Sequence, residues 1–121
     1  FNYIYVRMGA HTLIHKRTED DIWKNLFELP LVETEKDLSE EEFLACPQFH
    51  ALFAEGEVRM VRTLLRGVKH VLSHRVIYTN FYEVTLPDNS SSFSSYQRVA
   101  VEDLDRYAVP RLIHAFLEKY V

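Results

Sequence analysis

Within seven residues, Lys69 to Arg75, the sequence gathers an amine, two imidazoles, a hydroxyl and a guanidinium (Lys-His-Val-Leu-Ser-His-Arg). A metal site here would need His70 and His74 to share an ion. Four residues apart on extended chain they stand about 13 Å from each other, too far for one coordination sphere. A serine nucleophile would need the His74 imidazole to face the Ser73 hydroxyl with a carboxylate behind it, whereas neighbours on extended chain point to opposite faces. What remains is binding, by polar groups held at the rim of a rigid sheet.

Other reactive side chains have simpler explanations. Glu40, Glu41 and Glu42 stand where a helix begins, a place that favours negative charge in its own right. Cys46, the single cysteine, lies beside Pro47 with nothing to activate it. It excludes an internal disulfide and a cysteine-built iron–sulfur or zinc centre in these residues. Gly9, Gly56 and Gly67 are the only glycines, so neither a P-loop nor a dinucleotide fingerprint is present. No catalytic residue and no metal ligand is assigned.

The elements that must position Ser73 and His74 lie in the run Gly67 to Leu86. After Arg75 both alternating sets of side chains are largely apolar, which predicts a central strand covered on both faces. Twenty extended residues would span roughly 65 Å, so the run must break. The polar triplet Ser73, His74 and Arg75, after Leu72, predicts a turn there. Earlier, Phe1–Met8 and His11–Arg17 read as strands joined by a Gly9-Ala10 hairpin turn, and 18–24 as a polar loop. Pro30 marks an edge or bend within Leu26–Val32. Ser39 with Glu42 forms a capping-box pattern, and Pro47 interrupts or restarts the helix, which Gly56 is expected to cap. Val58–Leu65 reads as strand, Pro87–Ser95 as a mobile loop, and Tyr96–Val101 as a short strand. Tyr107–Tyr120 reads as a helix with a stripe of Ala108, Leu112, Ile113, Phe116 and Tyr120. This order implies a mixed sheet with helices on it.

With 121 residues, 47% of them hydrophobic, the chain suits one packed domain. It has no apolar run of about 18 residues and no leader-like segment, and one cysteine fits a reducing cytoplasm. Starting at Phe1 in apparent strand, it reads as a fragment of a longer protein. The net charge of −4 argues against gripping nucleic acid by charge alone. Its distribution is uneven. From Val58 to Tyr82 there is no Asp or Glu, while Arg59, Arg62, Arg66, Lys69 and Arg75 are positive. Glu33, Glu35, Asp37, Glu40, Glu41 and Glu42 then cluster against Lys36 alone. This suggests one face for an anionic partner; two ordinary solvated faces are the alternative.

Four segments, Trp23-Lys-Asn-Leu-Phe-Glu-Leu-Pro, Val68-Lys-His-Val-Leu-Ser-His, Val99–Leu104 and Tyr107-Ala-Val-Pro-Arg-Leu-Ile, resemble in order and spacing the C-terminal domain of the A/G-specific adenine DNA glycosylases (MutY type). The resemblance covers nearly the whole chain. It implies an α+β fold, a Nudix-like α/β/α sandwich with a mixed β-sheet and a C-terminal helix, as one domain over residues 1–121. The Nudix hydrolase box, a Gly with Glu six residues on and then Arg-Glu-x-x-Glu-Glu, is absent: His15, Arg62 and Ser73 follow the three glycines at that distance, and no Arg-Glu dipeptide occurs.

The resemblance further implies a non-catalytic lesion-recognition domain, whose parent enzyme removes adenine mispaired with 8-oxoguanine in base excision repair. Its expected partners are double-stranded DNA containing that mispair and the protein's own N-terminal catalytic domain, which would carry an iron–sulfur cluster; no cofactor is expected here. The expected location is the bacterial cytoplasm, at the nucleoid when on DNA. The family's Phe-Ser-His loop falls on Leu72, Ser73 and His74, with Leu in place of Phe. A hydroxyl both donates and accepts, so Ser73 can match a purine edge whose N7 acceptor has become a donor. Arg75, Lys69 and Arg66 are candidate phosphate contacts, and His70 is expected to pack or to orient the turn rather than touch DNA. A degenerate Nudix pyrophosphohydrolase and a protein-interaction module are the competing readings.

Overall fold

Asn2–Arg7 (β1) alternates Tyr3 and Tyr5 with Ile4 and Val6, and both sets are buried, the mark of a strand covered on both faces. The computed structural model describes residues 1–18, 23–93 and 95–120. Met8 and His11 exchange backbone hydrogen bonds of 2.9 and 3.0 Å around Gly9 and Ala10. Gly9 has φ +60°, and a Cβ there would stand 2.6 Å from Asp88 Oδ1, so the turn needs glycine twice over.

The returning strand His11–Lys16 (β2) does not stay in the sheet of β1. It pairs antiparallel with Phe27–Glu28 (β3) and Gln97–Ala100 (β7) in a three-stranded sheet. A four-stranded sheet takes Leu31–Val32 (β4), β1, Val76–Thr85 (β6) and Met60–Val71 (β5), in that order. Only β1 and β6 run parallel, so this sheet is mixed, as expected. Pro30 marks the bend where the chain crosses from β3 to β4, its carbonyl accepting from Ile4 N at 2.9 Å.

The two core clusters lie on opposite faces of the four-stranded sheet. One gathers Tyr3, Tyr5, Ile77 and Phe81 with Leu112, Ile113 and Phe116 of the helix Arg111–Tyr120 (α3). The other gathers Ile4, Val6, Tyr82 and Val84 with Phe43 and Phe49 of Glu40–Ala45 (α1) and Pro47–His50 (α2). The result is an α/β/α sandwich. Phe81 stacks on Phe116 (4.2 Å) and Tyr3 (5.6 Å), while its neighbour Tyr82 stacks on Phe43 (4.6 Å) on the other side.

Several element boundaries differ from expectation. The capping box is present, with Glu42 N donating to Ser39 Oγ (3.1 Å) and Ser39 N to Glu42 Oε1 (3.0 Å). Pro47 restarts the helix, but α2 ends at His50 with Ala51 as its cap, well before Gly56. The C-terminal helix begins at Arg111 rather than Tyr107, because a residue before proline, here Val109, is driven out of helical backbone. Ala108 therefore leaves the helical stripe, and its carbonyl accepts from Phe27 N at 2.7 Å. The segment Val101–Arg106 adds a 3₁₀ helix. Of the 18–24 loop, residues 19–22 lie outside the described residues, as does Ser94 in the Ser-rich loop. The rest of that loop is tied to residues 54–57: Ala54 N donates to Ser92 Oγ (2.8 Å), and the Glu57 carboxylate accepts from Ser91 Oγ (3.0 Å).

Val58–Leu65 and the start of the central run merge into the single strand β5, which is an edge strand; β6 and β1 are the interior ones. Two bulges make this possible. The register slips by one residue between Thr63 and Leu65 and again between Leu65 and Val68. At the second, Arg66 and Gly67 oppose Asn80 alone, Gly67 has φ +66°, and the Asn80 amide fills the gap. Its Oδ1 accepts from Gly67 N (2.8 Å), and its Nδ2 donates to Asn2 Oδ1 (3.0 Å) and Asp37 Oδ1 (3.1 Å). Asn80→Ala should cost about 1–3 kcal/mol, chiefly by stranding the buried Asn2 amide and releasing the Gly67 N–H at the bulge. Urea unfolding should show the loss with amide exchange accelerated at Gly67, whereas unchanged exchange there would refute this role for the amide.

Candidate nucleic-acid interface

β5 and β6 form a hairpin whose last pair is Val71–Val76. Leu72 N donates to Arg75 O at 2.7 Å, so Ser73 and His74 are the two central residues of the turn. Both are exposed and Leu72 is half-buried. The hydroxyl and imidazole thus stand at the tip of a ribbon whose inner strand, β6, is anchored by Phe81 and Tyr82.

The cations separate into two groups. Arg62 Nε donates to Glu83 Oε1 at 3.0 Å, and Arg7 stands 3.8 Å from the same carboxylate. Arg66 donates to Tyr82 Oη (2.7 Å), Leu38 O (2.8 Å) and Asp37 Oδ1 (3.4 Å), tying the bulge to the start of α1. Lys69 and Arg75 are different. Both are exposed, and among the described residues neither pairs with a carboxylate; Arg75 lies 5.7 Å from the Phe1 ring centroid. The structure therefore brings Leu72, Ser73, His74, Arg75 and Lys69 together and holds Arg66 apart. His70 is half-buried, opposite Ile77.

Part of the acidic run reaches this end of the hairpin: Glu33, Glu35 and Asp37 line a cleft with Arg75, Val76 and Tyr78. Glu42 closes the capping box, and that hydrogen bond from Ser39 holds its carboxyl below the usual range. Glu40 and Glu41 face solvent. Among the described residues no group of three His, Cys, Asp or Glu side chains is placed to hold a metal ion. None of the described carboxylates is therefore gathered with others as the divalent cation of a Nudix hydrolase would require. A cleft of about 750 Å³ lies between α3 and the β1–β2 turn and is lined by Tyr5, Arg7, Tyr107 and Tyr120 among others. It sits at the opposite end of β6 from the hairpin tip, about 30 Å away along the strand.

A buried polar cluster went unnoticed in the sequence. Glu28 accepts from Arg17 Nη1 at 3.0 and 3.1 Å, lies 3.1 Å from His15 Nε2, and accepts from Tyr3 Oη at 3.4 Å. Glu28 and Arg17 are 2% and 6% exposed, and Arg17 also lies over the Trp23 ring at 5.5 Å. A lone glutamate inside the apolar run Leu26–Val32 was the available signal, since buried carboxylates require partners. The pair locks β2 to β3 and is remote from the hairpin tip.

The family model described as the NUDIX domain matches residues 2–119. No curated protein matches the chain.

Burial, with the Glu28 carboxylate close by, holds the Tyr3 phenol far above the usual tyrosine range, and burial also raises Tyr5 and Tyr82. The unfolded chain ionises these groups near pH 10 while the folded one keeps them protonated. Their stabilisation is complete below that pH and is lost as pH rises toward the folded values. Tyr3→Phe should flatten the alkaline fall in urea-unfolding stability without abolishing it. A variant falling as steeply as the wild type would remove Tyr3 from this account.

Proposed function

The chain belongs to the NUDIX domain family, and from that premise we propose that it is a non-catalytic lesion-reading domain of an adenine DNA glycosylase, recognising 8-oxoguanine opposite adenine in double-stranded DNA. The observation that carries the reading is the exposed Ser73-His74 tip on a hairpin free of Asp and Glu from Val58 to Tyr82, with Lys69 and Arg75 exposed beside it and, among the described residues, paired with no carboxylate. A second support is the resemblance of the Lys-His-Val-Leu-Ser-His and Tyr-Ala-Val-Pro-Arg-Leu-Ile segments to the MutY-type C-terminal domain.

The division of labour follows from the chemistry. Oxidation of guanine replaces the N7 acceptor with a donor and adds an acceptor at O8. A hydroxyl can accept from one and donate to the other, and an exposed turn lets it approach the edge without moving the sheet. Lys69 and Arg75 would meet phosphates, setting position without reading sequence. Flipping and excising the adenine belong to a separate catalytic domain of the same protein. The iron–sulfur cluster of that reading also belongs there, since Cys46 alone cannot hold one. The pyrophosphohydrolase alternative lacks its carboxylates, and no observation favours it.

In the full-length protein, Ser73→Ala should reduce the preference for excising adenine opposite 8-oxoguanine over adenine opposite guanine by about five- to hundred-fold, the equivalent of about 1–3 kcal/mol. Single-turnover excision on the two duplexes measures it. A preference unaffected by this substitution and by deletion of the domain would end the lesion-reading assignment.

A further inference from the structure

The cleft between α3 and the β1–β2 turn, about 750 Å³, has the size of a small-molecule site and lies at the far end of β6 from Ser73 and His74. Its walls are apolar: Val101, Tyr107, Val109, Leu117 and Tyr120 each pack on the α3 core by one side and line the cleft by another. Its floor holds a hydroxyl without a partner. Tyr5 is 3% exposed, and its ring meets Phe116 edge-on at 6.0 Å. Among the described residues its Oη makes no hydrogen bond, although a buried phenol usually finds one. The fully enclosed side-chain oxygens left unpaired there are those of Thr12, Thr63 and Thr79. The Tyr5 oxygen is not one of them, and it opens into the cleft that Tyr5 lines.

Charge narrows the choice of ligand. In a 3₁₀ helix residues i and i+3 lie one above the other, and Val101–Arg106 thereby sorts its charges. Asp103 and Arg106 pair with each other at 3.6 Å, whereas Glu102 and Asp105 line the cleft, exposed and, among the described residues, without a cationic partner. Of the other lining elements, α3 contributes His114 and Glu118, which pair at 2.8 Å, and β1 contributes Arg7, which stands 3.8 Å from Glu83 outside the cleft. Glu102, Asp105 and Glu118 thus meet one guanidinium, itself drawn toward Glu83, and one imidazole held by Glu118. The surplus is negative.

We propose that this cleft binds a small, flat organic cation, with its ring against Tyr107 and Tyr120, a polar group at one end on the Tyr5 hydroxyl, and its positive charge by Glu102 and Asp105. Tyrosine walls favour such a ligand twice, by ring packing and by the attraction of a cation to a ring face. A hydroxyl both donates and accepts, so Tyr5 fixes where the polar group sits without fixing its type. A wholly apolar ligand would leave that hydroxyl unpaired, and an anion would be repelled by the two carboxylates. The site stands apart from the lesion reading, since no residue of the hairpin tip enters it.

The test titrates the full-length protein with three probes of one shape and different charge: para-hydroxybenzamidine, para-hydroxybenzamide and para-hydroxybenzoate. Ligand-observed NMR gives the dissociation constants. The amidine should bind at about 1 mM, as suits a ligand of its size, the amide about five-fold more weakly, and the benzoate not measurably. Combining Glu102→Gln with Asp105→Asn should bring the amidine down to the affinity of the amide and leave the amide unchanged. Tyr5→Phe should weaken amidine and amide alike by about five-fold, the worth of one hydrogen bond, without lowering the urea midpoint, because the hydroxyl supports nothing in the fold. No measurable amidine binding, benzoate binding as tight as that of the amidine, or wild-type amidine affinity in either variant overturns the inference. Ser73→Ala should alter none of these constants, so failure here and failure of the lesion reading are told apart.

Discussion

Two adjacent rings on β6 hold the molecule together. Because successive side chains of a strand point to opposite faces, Phe81 and Tyr82 are directed into different cores: Phe81 against Phe116 and Tyr3, Tyr82 against Phe43. Each buried ring contributes about 1.5–3 kcal/mol from area alone, and each stacked pair about 0.5–1.5 kcal/mol more. The strand that carries them cannot shift by one residue without exchanging the two cores. The register of β1 and β5 against β6 follows from that constraint.

The same anchoring explains why the hairpin end can extend past the packed layers. Beyond Asn80 in the direction of the tip, β6 keeps one side in the core through Ile77 and leaves the other uncovered. Binding groups at such an end are held by the pairing of the strands rather than by a packed floor beneath them. They can reach into a groove while their backbone stays fixed. The acidic segment 33–42 reaches this end: Glu33, Glu35 and Asp37 line one cleft with Arg75, Val76 and Tyr78, and Asp37 there accepts from Asn80 and Arg66.

Features governed by neighbours in sequence were legible from the residues alone. The Gly9-Ala10 turn, the Ser39–Glu42 box, the Pro47 restart and the turn at Ser73-His74 each depend on local backbone chemistry, and each stands where expected. What was not legible depended on residues far apart in the chain. That β1 and β2 belong to different sheets is settled by β6 and β7, dozens of residues later. The continuity of β5 through Gly67 is settled by the amide of Asn80, and the engagement of Arg66 by Asp37 and Leu38. That Val71, Val76 and Tyr78 lie exposed on one side required the register, because only the pairing tells which side chains face the same way. The cluster of Glu28, Arg17, His15 and Tyr3 likewise joins three strands.

The two slips in β5 have an arithmetical consequence. A single slip would exchange the faces of every residue beyond it, but two slips restore the original parity, so Val61 and Val71 lie on the same side of the sheet despite the irregularity between them. Length variation in this strand is therefore absorbed at the slips: Leu64 is the extra residue of the first, and its loss would close that bulge while leaving Lys69 opposite Tyr78 and His70 opposite Ile77. Descendants of this chain can gain or lose a single residue at either slip without turning the arm over.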